Sequence, residues 1–393
     1  MVTQNHSPSK QPLRILHIAF TMHARGTETW LMHVLRQMDR SRFQMDFLTV
    51  QGETGIYDEE IKSLGGILHA CPPPTKKGAF LRGLRKILQE EGPFDIIHAH
   101  PYTLSGLILL QAQRAKIPVR IVHSHTDRRK VSRDKGVHRR VYTMLMKALL
   151  HKTATYGLAA SKDAALSLFG QNWQKDWRWN VMYCGIDLTP FHKALNKQEM
   201  RENLGISSES RVIGHVGSFH FEKNHEFILM LFRKLAQQDL KTHLLLVGDG
   251  PLREGLVDKI EIYGLSGRVT LTGTRQDIPN LLSVMDVFVF PSLFEGLGLS
   301  VIEAQAAGLP CLVSDAVPDE AQIIKSAVQF LPLENSQDIW LQAIKETLAR
   351  PAPDKKKALQ AVVHSEFNIQ HNVKILADLY ESLHGKKGKS YAA

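Results

Sequence analysis

The sequence predicts an α/β protein made of two parallel sheets that follow one another along the chain. The chain has 393 residues, a length that two domains of ordinary size would fill. Short apolar runs of strand-like composition alternate with longer helix-like segments throughout, a pattern typical of crossover units and parallel sheet. The alternation restarts near the middle of the chain. We therefore expect one sheet in each half.

The predicted strands form two series. The first consists of RILHIAF (14–20), FQMDFLTV (43–50), FDIIHAH (94–100) and VRIVHSH (119–125). The second consists of RVIGHVGSF (211–219), THLLLVGDG (242–250), RVTLTG (268–273), DVFVFPS (286–292) and PCLVS (310–314). Ligands of open parallel sheets bind beyond the carboxyl ends of the strands. We expect the functional residues in the loops that follow these strands, including His98, His100, His123 and His125.

A turn-like segment, CGIDLTPF, and the charged segment KALNKQEMRENLG separate the two series. They predict a disordered leader at 1–12, an N-terminal Rossmann-like domain at 13–190 and a C-terminal Rossmann-like domain at 191–370. Residues 371–393 are predicted to form a terminal helix and a disordered tail. Packing of that helix back on the N-terminal domain is one option.

The positive charge is concentrated in one half of the chain. The whole sequence has 49 Lys and Arg against 39 Asp and Glu, a formal net charge of +10. Residues 1–190 carry 27 basic and 15 acidic residues, whereas residues 191–393 carry 22 and 24. The densest segment, 127–152, has nine Lys and Arg and two Asp, and its VYTMLMKALL stretch suits a core-facing helix. A solvated helix face and attraction to anionic lipid are the two main interpretations of this charge.

The cysteines and the apolar runs bear on the compartment. Cys71, Cys184 and Cys311 are odd in number and far apart, which favours reduced thiols in the cytoplasm over a disulfide framework. The polar N-terminus does not resemble a signal peptide. No apolar run approaches the roughly 20 residues that cross a bilayer. We expect any membrane contact to be peripheral, at the inner face of the cell membrane.

The strongest motif is FPSLFEGLGLSVIEAQAAGLP at 290–310. A strand-like run leads into the Gly-rich loop 295–298, and Leu299 begins a segment of helix-forming composition. Glycines let backbone N–H groups approach a ligand closely, and a helix N-terminus favours phosphate. Glu295 and Glu303 beside such a seat would suit neutral sugar hydroxyls, which donate hydrogen bonds to carboxylates. On spacing alone, two surface glutamates are the alternative.

At this point the sequence resembles the nucleotide-sugar-dependent glycosyltransferases of family 4. The resemblance runs from about residue 14 to about residue 383 and includes VGSFHFEKNH, LLVGDGPLR, VTLTGTRQDIP, ASKDAALSLFG and YCGID. The chain looks most like the subgroup that builds capsular polysaccharide and exopolysaccharide. The resemblance implies the GT-B fold, in which two Rossmann-like domains face each other across a cleft.

The resemblance also implies an activity. It implies a retaining hexosyltransferase that moves a sugar from a nucleotide diphosphate to a polyprenyl-diphosphate-linked glycan, with a UDP-sugar as the favoured donor. The nucleotide sugar is a co-substrate, and no metal or other cofactor is expected. The N-terminal domain would bind the acceptor and an anionic membrane surface, and the C-terminal domain would bind the donor.

Individual residues are carried over from matching family positions. The catalytic set is Glu295, which would contact the donor sugar, Lys223, which would contact the donor diphosphate, and His125, on the acceptor side. Glu303 would bind the ribose, and the backbone at Arg275 would meet the base. The complete donor-binding set implied by the resemblance is Gly26, Ser218, Lys223, Thr274, Arg275, Glu295, Gly296, Leu297, Gly298, Leu299 and Glu303.

Two positions depart from the family pattern. The family normally has arginine where this chain has Ser218, so one guanidinium on the diphosphate is missing. His220, Arg275 and Arg25 are candidates to replace it. Many relatives have two adjacent glycines where this chain has Arg25 and Gly26. A catalytically weakened sugar-nucleotide-binding protein is therefore one alternative function.

A basic nucleic-acid-binding protein is a second alternative, which rests on charge alone. No aromatic interleaving or recognised binding module accompanies the charge, so no nucleic-acid partner is expected.

The histidine pairs His98-x-His100 and His123-x-His125 could be interpreted as metal ligands, because alternate residues of a strand share a face. No clustered carboxylate or cysteine accompanies them in the sequence. We therefore predict packed or hydrogen-bonded histidines and no metal.

Overall fold

The computed structural model describes residues 11–50, 54–129, 136–193, 196–334 and 336–385. These residues divide into two compact units. The first contains the described residues up to His125, those from 136 to Met182 and those from Gln370 onwards, and the second contains 126–129 and 183–369. The predicted leader at 1–12 lies outside the described residues apart from residues 11 and 12. The predicted tail lies outside them beyond Gly385.

The first unit has a sheet of seven parallel strands in the order β3-β2-β1-β4-β5-β6-β7. The strands are β1 (Leu13–Ala19), β2 (Phe43–Thr49), β3 (Ile67–Ala70), β4 (Ile96–Ala99), β5 (Val119–Ser124), β6 (Tyr156–Ala159) and β7 (Trp179–Val181). The accompanying helices are α1 (Gly26–Gln37), α2 (Asp58–Ser63), α3 (Lys77–Glu90), α4 (Ser105–Arg114), α5 (Val137–Thr153) and α6 (Lys162–Phe169).

The second unit has a sheet of six parallel strands in the order β10-β9-β8-β11-β12-β13. The strands are β8 (Arg211–Val216), β9 (Thr242–Val247), β10 (Val269–Leu271), β11 (Val287–Phe290), β12 (Cys311–Ser314) and β13 (Val328–Leu331). The helices are α7 (Lys197–Asn203), α8 (His225–Gln238), α9 (Arg253–Ile262), α10 (Ile278–Ser283), α11 (Leu299–Ala306), α12 (Gln337–Ala349) and α13 (Lys355–Val363). The chain ends in α14 (Ile369–Gly385).

Alternating side chains build a core on each face of the second sheet. Phe288 and Phe290 of β11 face the core that contains α10, α11 and α13, whereas Val287 and Val289 face the core that contains α8, α9 and α12. This arrangement follows from the period of two along a strand. Burial of both faces explains why these strands are continuously apolar in the sequence.

The two faces of the first sheet differ in chemistry. One face packs an apolar core against α3, α4 and α6. On the other face, ring side chains of β1, β4 and β5 lie against Trp30 of α1 and Tyr380 of α14. Trp30 donates a hydrogen bond from Nε1 to Oδ1 of Asn372, 2.8 Å away, so α14 is tied to the first unit.

Four observations differ from the sequence-based expectations. The division lies between Met182 and Tyr183 rather than between 190 and 191. His98 and His123 lie inside β4 and β5, fully buried, rather than in the loops after them. The strands β3, β6, β7 and β13 were not predicted.

The fourth difference concerns α5, whose VYTMLMKALL stretch was predicted to face the core. Val141, Met144 and Leu145 are instead exposed, and Leu150 near the C-terminal end is buried. Within the described ranges, no helix is both long enough and apolar enough to cross a bilayer.

Candidate active site

The second sheet has its topological switch point between β8 and β11. The chain proceeds from β8 towards β9 on one side and from β11 towards β12 on the other. In open sheets the ligand crevice lies at such a point, beyond the carboxyl ends of the strands. Lys223 belongs to the loop after β8, and Glu295 belongs to the loop after β11. The two residues that the sequence singled out for the donor are therefore at the position where such sheets bind ligands.

Hydrogen bonds join these two loops. Nδ2 of Asn224 donates to the carbonyl of Pro291 at 3.2 Å, and the backbone N–H of Leu293 donates to the carbonyl of Glu222 at 2.8 Å. Asn224 adopts the left-handed conformation, with φ of 55°, which turns the chain from the short 3₁₀ segment 221–223 into α8. Lys223 is thereby held by a fixed backbone on both sides.

Lys223 and Glu295 form an ion pair across the crevice. Nζ of Lys223 lies 2.5 Å from Oε1 of Glu295 and 4.9 Å from the centre of the Phe290 ring. The Glu295 residue is 9% exposed. A partly buried charge without an oppositely charged partner costs free energy, so each of these two groups stabilises the other. The site thus presents one ammonium and one carboxylate within reach of the same ligand.

The Gly-rich loop 295–298 is buried and leads directly into α11. Gly298 is the N-cap residue and has φ of +89°, a conformation that residues with a Cβ rarely adopt. It has no side chain to cap the first N–H groups of α11. The N–H of Val301 donates to the carbonyl of Gly298 at 2.9 Å, so the helix offers the N–H groups of Leu299 and Ser300 and its dipole to an anion.

Glu303 lies four residues into α11 and is half-buried. Burial raises the pKa of its carboxyl from 4.5 to about 7. A carboxyl that burial makes costly to ionise becomes easier to ionise when a ligand donates hydrogen bonds to it.

The raised pKa gives a prediction for stability. The folded chain keeps the Glu303 proton up to about pH 7, whereas the unfolded chain loses it near pH 4.5, so the free energy of unfolding falls as pH rises between these values. Glu303→Gln removes this loss. We expect the variant to exceed the wild type by about 3 kcal/mol at pH 8 and to match it near pH 4. Urea unfolding at both pH values measures the difference, and an equal difference at both would contradict the assignment.

The loops after β9 and β10 complete the carboxyl edge of the sheet. Gly248, with φ of +141°, donates from its N–H to the carbonyl of Gly273 at 3.1 Å. A Cβ at position 248 would lie 2.1 Å from the carbonyl oxygen of Gly217, the residue before Ser218. The backbones of these loops therefore touch where no side chain would fit.

The predicted base-reading loop has its own internal ion pair. The guanidinium of Arg275 bonds both carboxylate oxygens of Asp277, each at 2.7 Å, while Thr274 is exposed. This guanidinium is therefore engaged by a carboxylate in its own loop. Ser218 itself is half-buried in the loop after β8.

The first unit carries the remaining predicted residues at its own switch point, between β1 and β4. Gly26 is exposed and is the first residue of α1. Glu28, in the first turn of α1, is 5% exposed, and burial raises the pKa of its carboxyl to about 7. His125 follows β5 and is half-buried.

The structure adds a residue that the sequence did not single out. His17 of β1 pairs in register with His98 of β4, and its Nδ1 lies 3.2 Å from Nε2 of His100. Nδ1 of His100 lies 2.9 Å from Nε2 of His125. His17 is the one histidine of an apolar strand, and nothing near it in the sequence marks it as functional. Its meeting with His98 depends on the pairing of β1 with β4, which the sequence did not reveal.

Each of the two units matches a known protein family. Residues 25–176 match the family described as "Glycosyl transferase 4-like domain", and residues 196–361 match "Glycosyl transferases group 1". The chain is 35% identical over 375 residues to the putative glycosyltransferase EpsF of Bacillus subtilis (strain 168), covering 93% of this chain and 96% of EpsF. The chain belongs to the family 4 glycosyltransferases. The matches cover both units, so each unit has its counterpart in the family.

This glycosyltransferase also resembles a second sequence relative and a solved structure. It is 30% identical to the Escherichia coli UDP-Gal:alpha-D-GlcNAc-diphosphoundecaprenol alpha-1,3-galactosyltransferase, covering 76% of this chain and 78% of that relative. The crystal structure of Anabaena HepE in complex with UDP-glucose aligns with a TM-score of 0.77 at 18% identity, covering 94% of this chain and all of HepE. The fold is therefore GT-B, built from two Rossmann-like domains, and the chain is an enzyme of the hexosyltransferase type.

The residues predicted for the site of this glycosyltransferase are divided between the two units. The second unit brings together Lys223 and Glu295, followed in the chain by the loop 296–298 and by Leu299 at the start of α11. It places Ser218, Thr274 and Arg275 in neighbouring loops of the same sheet edge. The first unit contains Gly26 and His125.

Proposed function

We propose that this glycosyltransferase transfers a hexose from a UDP-sugar, with retention of configuration, to a lipid-linked glycan in exopolysaccharide or capsule synthesis. The observation that carries the proposal is the Lys223–Glu295 pair at the switch point beside the start of α11. A nucleotide diphosphate sugar offers both a diphosphate and neutral hydroxyls. Each chemistry has a matching group in this crevice.

The transferred sugar leaves behind a diphosphate on which negative charge develops. The Lys223 ammonium and the first N–H groups of α11 could stabilise that charge without a metal ion. When the diphosphate attracts Lys223, the Glu295 carboxylate becomes free to accept hydrogen bonds from sugar hydroxyls. In this proposal the Lys223–Glu295 ion pair is exchanged for two ligand contacts.

The relatives support the choice of donor and acceptor. The Escherichia coli relative is named for a UDP-Gal donor and a diphosphoundecaprenol-linked acceptor. The HepE structure is a complex with UDP-glucose. The motifs resemble those of the exopolysaccharide and capsule subgroup, and retention is what that family resemblance implies.

The test is transfer from UDP-sugars to a synthetic glycan linked to a polyprenyl diphosphate, with the same glycan lacking the lipid diphosphate as the control. We expect UDP and a UDP-sugar to raise the melting temperature, because ligands that bind the folded state stabilise it. We expect the lipid-linked acceptor to react faster and the product to keep the donor's anomeric configuration. An inverted product, or preference for the free glycan, would contradict the proposal.

Salt-dependent RNA binding without nucleotide-sugar affinity would favour the nucleic-acid alternative.

We also propose that α5 attaches this enzyme to anionic membrane at the cytoplasmic face, where a lipid-linked acceptor would lie. Val137, Val141, Met144 and Leu145 form a stripe at helical spacing, with exposures between 45% and 71%. Exposed Arg139, Arg140 and Lys152 lie on the same helix. Apolar side chains beside basic ones are typical of helices that lie in a lipid headgroup region.

Vesicle co-sedimentation tests the membrane proposal. We expect binding to vesicles of phosphatidylglycerol and phosphatidylcholine but not to phosphatidylcholine alone, because each basic residue near an anionic surface contributes about 1 kcal/mol. The double variant Met144→Glu and Leu145→Glu should lower the bound fraction at least about tenfold. Ile262→Glu, at a 76% exposed apolar position of α9, is the matched control and should change nothing. Equal binding by both variants would contradict the proposal.

Ser218 supports a second candidate function, a sugar-nucleotide-binding protein with weakened catalysis. The loop after β8 has a hydroxyl where the family has a guanidinium, and Arg275 is engaged by Asp277. Ser218→Arg separates the two candidates. If the wild type is a competent transferase, we expect the variant to change donor hydrolysis and transfer by less than about tenfold. A much larger gain, from a wild type that binds UDP without turnover, would favour the second candidate.

A further inference from the structure

A cluster of histidines lies on one face of the first sheet. His17 of β1 and His98 of β4 are fully buried, and His100, immediately after β4, is 7% exposed. The ring centres of His98 and His100 are 4.5 Å apart, those of His17 and His98 are 5.1 Å apart, and those of His17 and His100 are 5.5 Å apart. One ring nitrogen from each of the three lies within 4.8 Å of the others.

The buried nitrogens of this cluster are incompletely satisfied. A neutral imidazole has one N–H donor and one lone-pair acceptor. Nε2 of His98 has no hydrogen-bond partner among the described residues. A buried polar group without a partner costs free energy, and a bound ion is one recognised explanation.

The remaining contacts match those that metal-binding histidines make with their second nitrogen. Such histidines donate the other ring N–H to a fixed acceptor, which orients the ring. Nδ1 of His98 lies 2.7 Å from the hydroxyl of Tyr380, and Nδ1 of His100 lies 2.9 Å from Nε2 of His125. Nε2 of His98 is then left without a partner, and Nε2 of His100 faces Nδ1 of His17 at 3.2 Å.

One distance within the cluster is also compatible with an ion. Nδ1 of His17 and Nε2 of His100 are 3.2 Å apart, close to the roughly 3.3 Å edge of a tetrahedron with metal–nitrogen bonds of about 2.0–2.1 Å.

We propose that His17, His98 and His100 bind a divalent transition-metal ion, with Zn²⁺ as the best match, outside the donor site of the second unit. Three imidazoles without a carboxylate or thiolate suit Zn²⁺, Cu²⁺, Ni²⁺ and Co²⁺ rather than Mg²⁺ or Ca²⁺. His17 contributes Nδ1, and His98 and His100 contribute Nε2. The fourth position of the tetrahedron is left to water or another ligand.

The test is equilibrium dialysis of the full chain, freed of metal with a chelator, against Zn²⁺, followed by elemental analysis. We expect one Zn²⁺ per chain and a higher melting temperature with Zn²⁺ than with chelator. His17→Gln and His98→Gln should each weaken binding at least about tenfold. His69→Gln is the matched control, because His69 is buried in β3 of the same sheet beside Asp46 at 3.0 Å, outside the cluster.

A second variant keeps the proposal testable if the glutamine variants fold poorly. Tyr380→Phe keeps the ring and removes the hydroxyl that orients His98, so it should weaken Zn²⁺ binding about tenfold to a hundredfold. Co²⁺ should give the visible absorption of a tetrahedral site in the wild type, and that absorption should weaken in Tyr380→Phe. No Zn²⁺ uptake by the wild type, or equal uptake by wild type, His98→Gln and Tyr380→Phe, would overturn the proposal.

Discussion

Lys223→Met is expected to lower glycosyl transfer by about 10²–10³-fold, the usual cost of removing one group that stabilises charge in a transition state. Methionine keeps the length and apolar contacts of the side chain and removes the ammonium. Glu295→Gln should lower transfer as well, because an amide accepts hydrogen bonds from sugar hydroxyls less strongly than a carboxylate. Initial rates with a UDP-sugar donor measure both effects. Wild-type rates in either variant, with the fold intact, would contradict the assignment of the site.

Stability distinguishes the pair from an ordinary surface contact. Each single variant leaves one partly buried charge without its partner and should lower the free energy of unfolding by about 2–3 kcal/mol. The double variant removes both charges and should return to within about 1 kcal/mol of the wild type, although transfer stays lost. Lys241→Met is the matched control. Its pair with Glu209 is exposed on both sides, and such pairs contribute about 0–1 kcal/mol.

Gly248→Ala is expected to destabilise the second unit by about 3–5 kcal/mol. The new Cβ would lie 2.1 Å from the Gly217 carbonyl oxygen and 2.9 Å from the Gly217 carbonyl carbon, both backbone atoms that cannot turn away. The φ of +141° at Gly248 adds strain for any residue with a Cβ. Urea unfolding measures the loss, and UDP binding should weaken with it because the loops after β8 and β9 must separate.

Gly255→Ala is the matched control for that substitution. Gly255 lies in α9, and a Cβ there would meet nothing within 4 Å. Alanine in an exposed helix should raise stability by about 0.5–1 kcal/mol. The two glycines are seven positions apart, so a comparable loss from both substitutions would show that close backbone approach does not explain Gly248.

The fold was accessible from sequence where apolar runs are continuous. All nine predicted strand segments overlap a strand of the structure, because continuous Val, Ile and Leu runs are typical of parallel sheets. The short strands β3 and β7 at the edges of the first sheet gave no comparable signal. The exposed stripe on α5 was mistaken for a core-facing one, because an apolar helical pattern has the same period whether it faces a core or solvent.

The donor site was more predictable than the histidine cluster. The Glu295 loop and α11 form one continuous stretch of chain, so glycines, carboxylate and helix start appear together in sequence. The cluster needs His17 beside His98, residues 81 positions apart that meet through the pairing of β1 with β4. It also needs Tyr380 from the last helix, which sequence spacing does not relate to either strand.

The sequence by itself therefore determined the class of fold, the family and the residue types of the donor loop, because these depend on local composition and short-range spacing. Only the tertiary structure decided which side chains meet. It paired Lys223 with Glu295 and gathered the histidines on one buried face. The physical reason is that these contacts form between residues of neighbouring strands or of the loops that follow them. The order of the strands depends on the packing of the whole sheet rather than on any local segment.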